Sequence, residues 1–152
     1  FEPNPKALKL LLANISANGL ATKYDMSHLG KGLGAEPRVG FGMELRDRNL
    51  GAAKMLPGEG DIEITTGDLA LKNNHPDFIK IDVEGMEIQV LSGLQDTISR
   101  CQPALLVEVD QENDDAFHML IARMGYEICD TLQRYKTNKN YVIKPIQTDV
   151  ES

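Results

Sequence analysis

The stretch PDFIKIDVEGMEIQVLSGL, residues 76–94, constrains this chain more than any other. Phe78, Ile79, Ile81 and Val83 make a near-continuous apolar run broken by Lys80, the pattern of a strand covered on both faces. Ile88, Leu91, Leu94 and Ile98 follow at helical spacing, and Pro103 lies beyond the end of that helix. A buried-type strand feeding an amphipathic helix is the repeating unit of a parallel sheet.

The rest of the chain supports that frame at both ends. FEPNPKALKLLLANISANGL opens as the end of a strand and turns into a helix. Asn4 is its cap, Pro5 suits the first helical position, and Leu8, Leu11, Leu12 and Ile15 form one stripe before Asn18 and Gly19 stop it. LATKYDMS reads as a short strand. Residues 30–60 are glycine-rich and irregular, with RVGFGMEL and GAAKML as hairpin strands, and DIEITTGDL reads as one more. After the central stretch, ALLVEVD is a second buried strand. Asn113 to Met124 form an amphipathic helix stopped by Gly125, and YEICDTL and NYVIKP make a closing hairpin. These elements predict a three-layer α/β domain over residues 1–146 on a mostly parallel sheet with an antiparallel terminal hairpin. Residues 147–152 form a solvated tail, and no internal repeat is visible.

Composition excludes several classes. The 152 residues are of single-domain size, 41% hydrophobic and 26% charged, and no apolar run approaches the roughly 20 residues of a membrane span. Sixteen basic against 23 acidic side chains give a net charge of −7, with the cations scattered, so nucleic acid is not an expected partner. Cys101 and Cys129 lack metal-ligand spacing and read as small core residues of a reducing compartment, which places the chain in the cytoplasm. No signal peptide is visible, and the chain begins at Phe1 without a methionine, like a piece of something longer. The sequence says nothing of oligomeric state.

In parallel sheets ligands collect outside the carboxyl ends of the strands, and here three such ends carry acids: Glu2, the Asp82/Glu84 pair, and Glu108 with Asp110. A carboxylate at Glu2 offers two acceptor oxygens to the vicinal diol of a ribose; it equally suits the positive end of the helix that follows. Alternation puts Asp82 and Glu84 on one side of their strand. Together they are suited to orient a hydroxyl, take its proton or share a cation; the other reading has one cap the next helix and the other pair with Lys80 or a neighbouring backbone amide. Gly85 admits close approach to the backbone, or only a tight turn. Among the histidines, His28 is placed to act as a base, with a solvated loop residue as the simpler reading, while His75 precedes a proline and His118 lies within a helix.

FEPNPKALKLLLANISANGL, FIKIDVEGMEIQVLSGL and CQPALLVEV, in this order and at this separation, resemble the FkbM family of S-adenosylmethionine-dependent methyltransferases. GYEI and NYVIKP are similar to that family's closing strands. The resemblance runs from Phe1 to about Lys144, and its most specific part is the K-I-D-V-E-G-M-E core. Asn49 to Gly51 and the Thr65 to Leu69 stretch are also in place, although Gly67 stands where an acid is common.

The resemblance implies a Rossmann-like class I methyltransferase fold whose sixth and seventh strands form the antiparallel edge. It implies Glu2 as the ribose-binding acid, Asp25 to Ser27 near the adenine, and Asp82, seconded by Glu84, at the reaction centre. The implied activity is O-methylation of a hydroxyl on a sugar, glycan or polyketide-like natural product, with S-adenosylmethionine as donor and no required metal. A magnesium ion shared by Asp82 with Glu108 or Asp110 is compatible with these acids but not demanded by them. The family's glycine-rich cofactor loop and first strand belong upstream of FEP, and GLGAEPRVGFG is a poor substitute, since no strong strand precedes it and no helix follows. The expectation is therefore a partial domain that binds the cofactor weakly by itself within a larger enzyme. Two rivals remain: a non-catalytic or truncated methyltransferase-like module, and an NAD-binding dehydrogenase domain in which Glu2 would hold the ribose.

Overall fold

The computed structural model describes residues 1–44, 54–133 and 136–147. The chain divides into two compact units, Phe1–Thr66 and Gly67–Ser152.

In the first unit, Phe1 to Asn4 are irregular rather than the end of a strand, and helix α1 runs over Pro5–Ala17. Asn4 caps it as expected: its side-chain oxygen accepts from the amides of Lys6 at 3.0 Å and Ala7 at 3.4 Å, with Pro5 at the first position. Of the predicted stripe only Ile15 is buried, because helical periodicity defines a face without supplying anything to cover it. LATKYDMS is not a strand. Ala21–Lys23 form a 3-10 turn, and Asp25 then turns the chain by accepting the Ser27 amide. Among the described residues four strands follow: β1 (Gly32–Leu33), β2 (Arg38–Glu44), β3 (Lys54–Pro57) and β4 (Ile62–Thr65), in the order β1-β4-β2-β3. Residues 45–53, which include the first part of the expected GAAKML strand and the Asn49 to Gly51 stretch, lie outside the described residues.

The second unit comprises α2 (Gly67–Ala70), β5 (Phe78–Ile81), α3 (Glu87–Ser92), α4 (Gln95–Cys101), β6 (Ala104–Asp110), α5 (Asp114–Arg123), β7 (Tyr126–Leu132) and β8 (Asn138–Pro145). The sheet order is β5-β6-β8-β7. A single long helix was expected after β5; Gly93 caps the end of α3 and divides it into two. Gly125, at φ +72°, ends α5 as the sequence predicts.

The mostly parallel single sheet is not what forms. Among the described residues there are two four-stranded mixed sheets, and four of their six pairings are antiparallel. Connection chemistry explains this. Among the described residues β5 to β6, joined through α3 and α4, is parallel, whereas β7 to β8 is a hairpin and antiparallel. The terminal antiparallel hairpin is as predicted. β5 is also shorter and less covered than expected: it stops at Ile81, Phe78 is 56% exposed, and among the described strands it pairs with β6 alone.

The core of this unit lies on one face of the sheet. Leu105, Val107 and Val109 of β6 are fully buried while their alternate neighbours are half-buried, and Ile143 and Tyr141 of β8 join them. Val90, Leu91, Leu94, Ile98, Phe117, Leu120 and Ile121 supply the helical side. Phe117, 0% exposed and stacked on Tyr141 at 5.0 Å, is a residue whose truncation to alanine costs about 3–5 kcal/mol. The Tyr126 hydroxyl donates to the Pro103 carbonyl at 2.9 Å, and burial pushes its pKa up to about 12. The cysteines are not core residues: Cys101 is half-buried and Cys129 exposed, because Cys101 closes a helix and Cys129 lies on the outer strand β7. No described helix is long and apolar enough to cross a membrane.

Candidate functional site

Asp82 and Glu84 stand where β5 gives way to α3. Asp82 is exposed, and its Oδ2 accepts from the Lys80 ammonium at 2.5 Å, with both side chains about half exposed (51% and 50%). That ion pair is the structural alternative weighed for one of the two acids. Between groups this exposed it is worth at most about 1 kcal/mol, so it aims the carboxylate without committing it. Glu84 is half-buried. Met86 occupies the cap position of α3 and makes no side-chain cap bond.

Gly85 makes the turn. Its φ of +82° is a left-handed conformation that only a residue without Cβ adopts cheaply. Its N–H donates to Glu87 Oε1 at 3.0 Å, and its carbonyl accepts from Asn113 Nδ2 at 3.3 Å. Asn113 Nδ2 donates also to Glu87 Oε2, at 2.5 Å. Glu87 is 1% exposed; burial pushes its carboxyl pKa up, and the nearby Asp110 adds to the shift against the hydrogen bonds that hold the charged form.

Glu87 and Asn113 were missed in the sequence: Glu87 drew no reading of its own, and Asn113 read as the beginning of an amphipathic helix. A signal was present. Glu87, Val90, Leu91, Leu94 and Ile98 fall at i, i+3, i+4, i+7 and i+11, so an acid heads the apolar stripe, and the buried stripe is this one rather than the one starting at Ile88.

The acids of β6 are differently employed. Glu108 accepts from Asn138 Nδ2 and, at 3.5 Å, from Asn140 Nδ2, both on the neighbouring β8. Among the described residues no three histidine, cysteine or acidic side chains converge as a cation site. Along the same first half of β8, Lys139 donates to Asp114 at 2.8 Å and the Tyr141 hydroxyl donates to it at 2.5 Å. Burial alone would raise its carboxyl, but these two hydrogen bonds outweigh it and hold the pKa below the ordinary value of 3.8. A cleft lined by Ile88, Ser92, Met119 and Arg123 lies between α3, α4 and α5 and contains none of the predicted site residues.

In the first unit, Glu2 meets the loop that bears Asp25 and Ser27. Glu2 Oε1 accepts the Asn4 amide at 2.8 Å, its carbonyl accepts from the Gly30 amide at 3.2 Å, and Phe1 stacks on His28 with ring centres 5.4 Å apart. Asp25 and Ser27 are each other's partners: Asp25 Oδ1 takes the Ser27 hydroxyl at 2.6 Å and its amide at 2.9 Å, which holds the Asp25 carboxyl below its usual value. A carboxylate has about four lone-pair sites, so Glu2 retains acceptor capacity for a vicinal diol beyond its bond to Asn4.

Three comparisons bear on this chain. The sequence profile of the methyltransferase FkbM domain matches residues 1–135. No curated protein matches it significantly. Among solved structures the fold matches the crystal structure of methyltransferase FkbM from Methylobacillus flagellatus KT, with a TM-score of 0.55 and 20% sequence identity. That alignment covers 90% of this chain and 33% of the other, so this chain spans about a third of that protein's length; at such identity the likeness is one of fold.

Proposed function

The chain belongs to the methyltransferase FkbM domain family, and from that premise we propose that it is part of an S-adenosylmethionine-dependent O-methyltransferase acting on a hydroxyl of a sugar, glycan or polyketide-like product. The observation that carries this reading is the acidic turn at the carboxyl end of β5, where Asp82 and Glu84 flank a left-handed Gly85 at the kind of strand end where α/β sheets place their chemistry. We take residues 1–146 as one partial class I domain; the order β5-β6-β8-β7, with its parallel pair and antiparallel edge, supports the Rossmann-like assignment.

Methyl transfer needs an in-line approach and removal of a proton from a weakly acidic hydroxyl. S-adenosylmethionine supplies the electrophilic methyl group when bound. Glu2 is assigned to the ribose hydroxyls, with Asp25 and Ser27 beside the adenine. Asp82 orients the acceptor hydroxyl and takes its proton, and Glu84 shapes the turn and is the second acid. Lys80 holds one oxygen of Asp82 and so limits its rotation. Two free thiols, one of them exposed, suit a reducing compartment, and we assign the protein to the cytoplasm on that ground.

Titration calorimetry of the full-length protein with S-adenosylmethionine tests the assignment. We expect binding that weakens about tenfold or more in Glu2→Gln, because one charged acceptor of the diol is lost. Absence of binding, or unchanged affinity in the variant, rejects it. A second reading, a binding module without turnover, is favoured by one observation: Asp82 already has an ion-pair partner in Lys80. Methyl transfer to a hydroxyl acceptor by the full-length protein excludes that reading.

A further inference from the structure

We propose that Glu87 and Asn113 form a latch that sets where the Asp82 and Glu84 carboxylates point, which makes them positioning residues for the acidic turn. Three hydrogen bonds close a ring: the Gly85 amide to Glu87 at 3.0 Å, Asn113 to Glu87 at 2.5 Å, and Asn113 to the Gly85 carbonyl at 3.3 Å. Both polar groups of Gly85 are thereby held. The two side chains come from the segments that follow the two parallel strands, Glu87 at the start of α3 after β5 and Asn113 in the 3-10 turn Gln111–Asn113 after β6. The ring therefore ties together the carboxyl ends of neighbouring strands.

A glycine at positive φ has no side chain to restrict it, so the direction of the chain through Asp82 and Glu84 has to be imposed from outside. Stability alone is a poor reason to put an acid there. Glu87 is 1% exposed, no cation faces it in the described ion pairs, and Asp110 lies near it, so the ionised form is disfavoured where it sits. An apolar side chain would fill the space but leave the Gly85 amide without its acceptor. A carboxylate has two oxygens at the spacing needed to reach the Gly85 amide and the Asn113 amide group at once.

Amide hydrogen exchange in the full-length protein tests the latch, together with methyl-transfer kinetics. The variants are Glu87→Ala, Glu87→Gln, Asn113→Ala, and the double exchange Glu87→Gln/Asn113→Ala. Glutamine alone turns an NH2 toward the Asn113 NH2, and Asn113→Ala removes the donor to both Glu87 and the Gly85 carbonyl, so either change opens the ring. We expect each single variant to speed exchange of the Asp82 to Met86 amides about tenfold or more, with Leu105 to Val109 unchanged, and the double exchange to add less than about threefold to the larger single effect. The kinetic arm rests on the methyl-transfer reading: kcat should fall about tenfold or more with the KM for S-adenosylmethionine within about threefold.

Wild-type exchange at Asp82 to Met86 in a folded Glu87→Ala protein overturns the latch, as does equal opening of the turn and β6, or a double exchange in which the two single effects multiply. If Glu87→Ala does not fold, the Glu87→Gln, Asn113→Ala and double-exchange proteins decide in the same way. A wild-type protein without methyl transfer overturns the functional reading instead, and the exchange data still judge the latch.

Discussion

Replacing Asp68 by alanine should unfasten helix α4 from a distance. Asp68 lies in α2, yet its two carboxylate oxygens accept from the Asp96 amide at 3.2 Å and the Thr97 amide at 2.7 Å, the second and third residues of α4. Leu94, at the local cap position, has no side-chain acceptor, so Asp68 does the work of an N-cap from 28 residues upstream. Removing such a cap costs about 1 kcal/mol. The Thr97 amide belongs to a residue 1% exposed, which has little access to water as a substitute acceptor, and an orphaned donor adds about 1 kcal/mol. The sum, about 2 kcal/mol, lowers the melting temperature by about 4–8 °C in a protein of this size. Urea unfolding of the full-length protein followed by circular dichroism measures it, and Asp68→Asn, which keeps one acceptor oxygen, should lose about half as much. A loss below about 0.5 kcal/mol for Asp68→Ala would show that the α4 amides are satisfied otherwise and refute the assignment.

Gly67→Ala should destabilise by about 1–3 kcal/mol in the same assay, since a Cβ there would lie 2.1 Å from Leu94 Cδ2 in a packed site; an unchanged midpoint contradicts this. Asp114→Asn should cost about 1 kcal/mol at neutral pH. Because the folded pKa of Asp114 lies below 3.8, its contribution is present above that value and is lost as pH falls through the folded pKa. Melting curves from about pH 5 to about pH 2 should therefore show wild type and variant converging in acid, and a constant gap would count against the Asp114–Lys139–Tyr141 cluster as its source.

How much of this was readable in the sequence depends on how far apart the partners lie. The β7/β8 hairpin, the Asn4–Pro5 cap and the alternation of ALLVEVD were legible because each is decided by residues within a few positions of one another. The ion pair between Lys80 and Asp82 was legible as an alternative, its partners being two positions apart. Asp68 as the cap of α4 was not, since the acceptor and the amides are separated by most of a crossover. The same holds for Asn113 reaching Gly85. Gly67 stood out only as a missing acid; its reason is the side chain of Leu94 against which it packs. Sheet type was misjudged because apolar runs look alike in parallel and antiparallel strands. Phe78 to Val83 reads as a strand covered on both faces, but β5 stops at Ile81 and among the described strands it has one neighbour. Of the candidate site, Asp82, Glu84 and the Lys80 partner were visible, and Glu87 and Asn113, which hold Gly85, were not.

Turnover of Asp82→Asn in the full-length protein, measured beside its affinity for S-adenosylmethionine, tests the central claim most directly. The assignment of the acceptor hydroxyl to Asp82 predicts a fall in kcat of about tenfold or more with the cofactor Kd changed by less than about twofold. Unchanged turnover, or a loss confined to cofactor affinity, would contradict it.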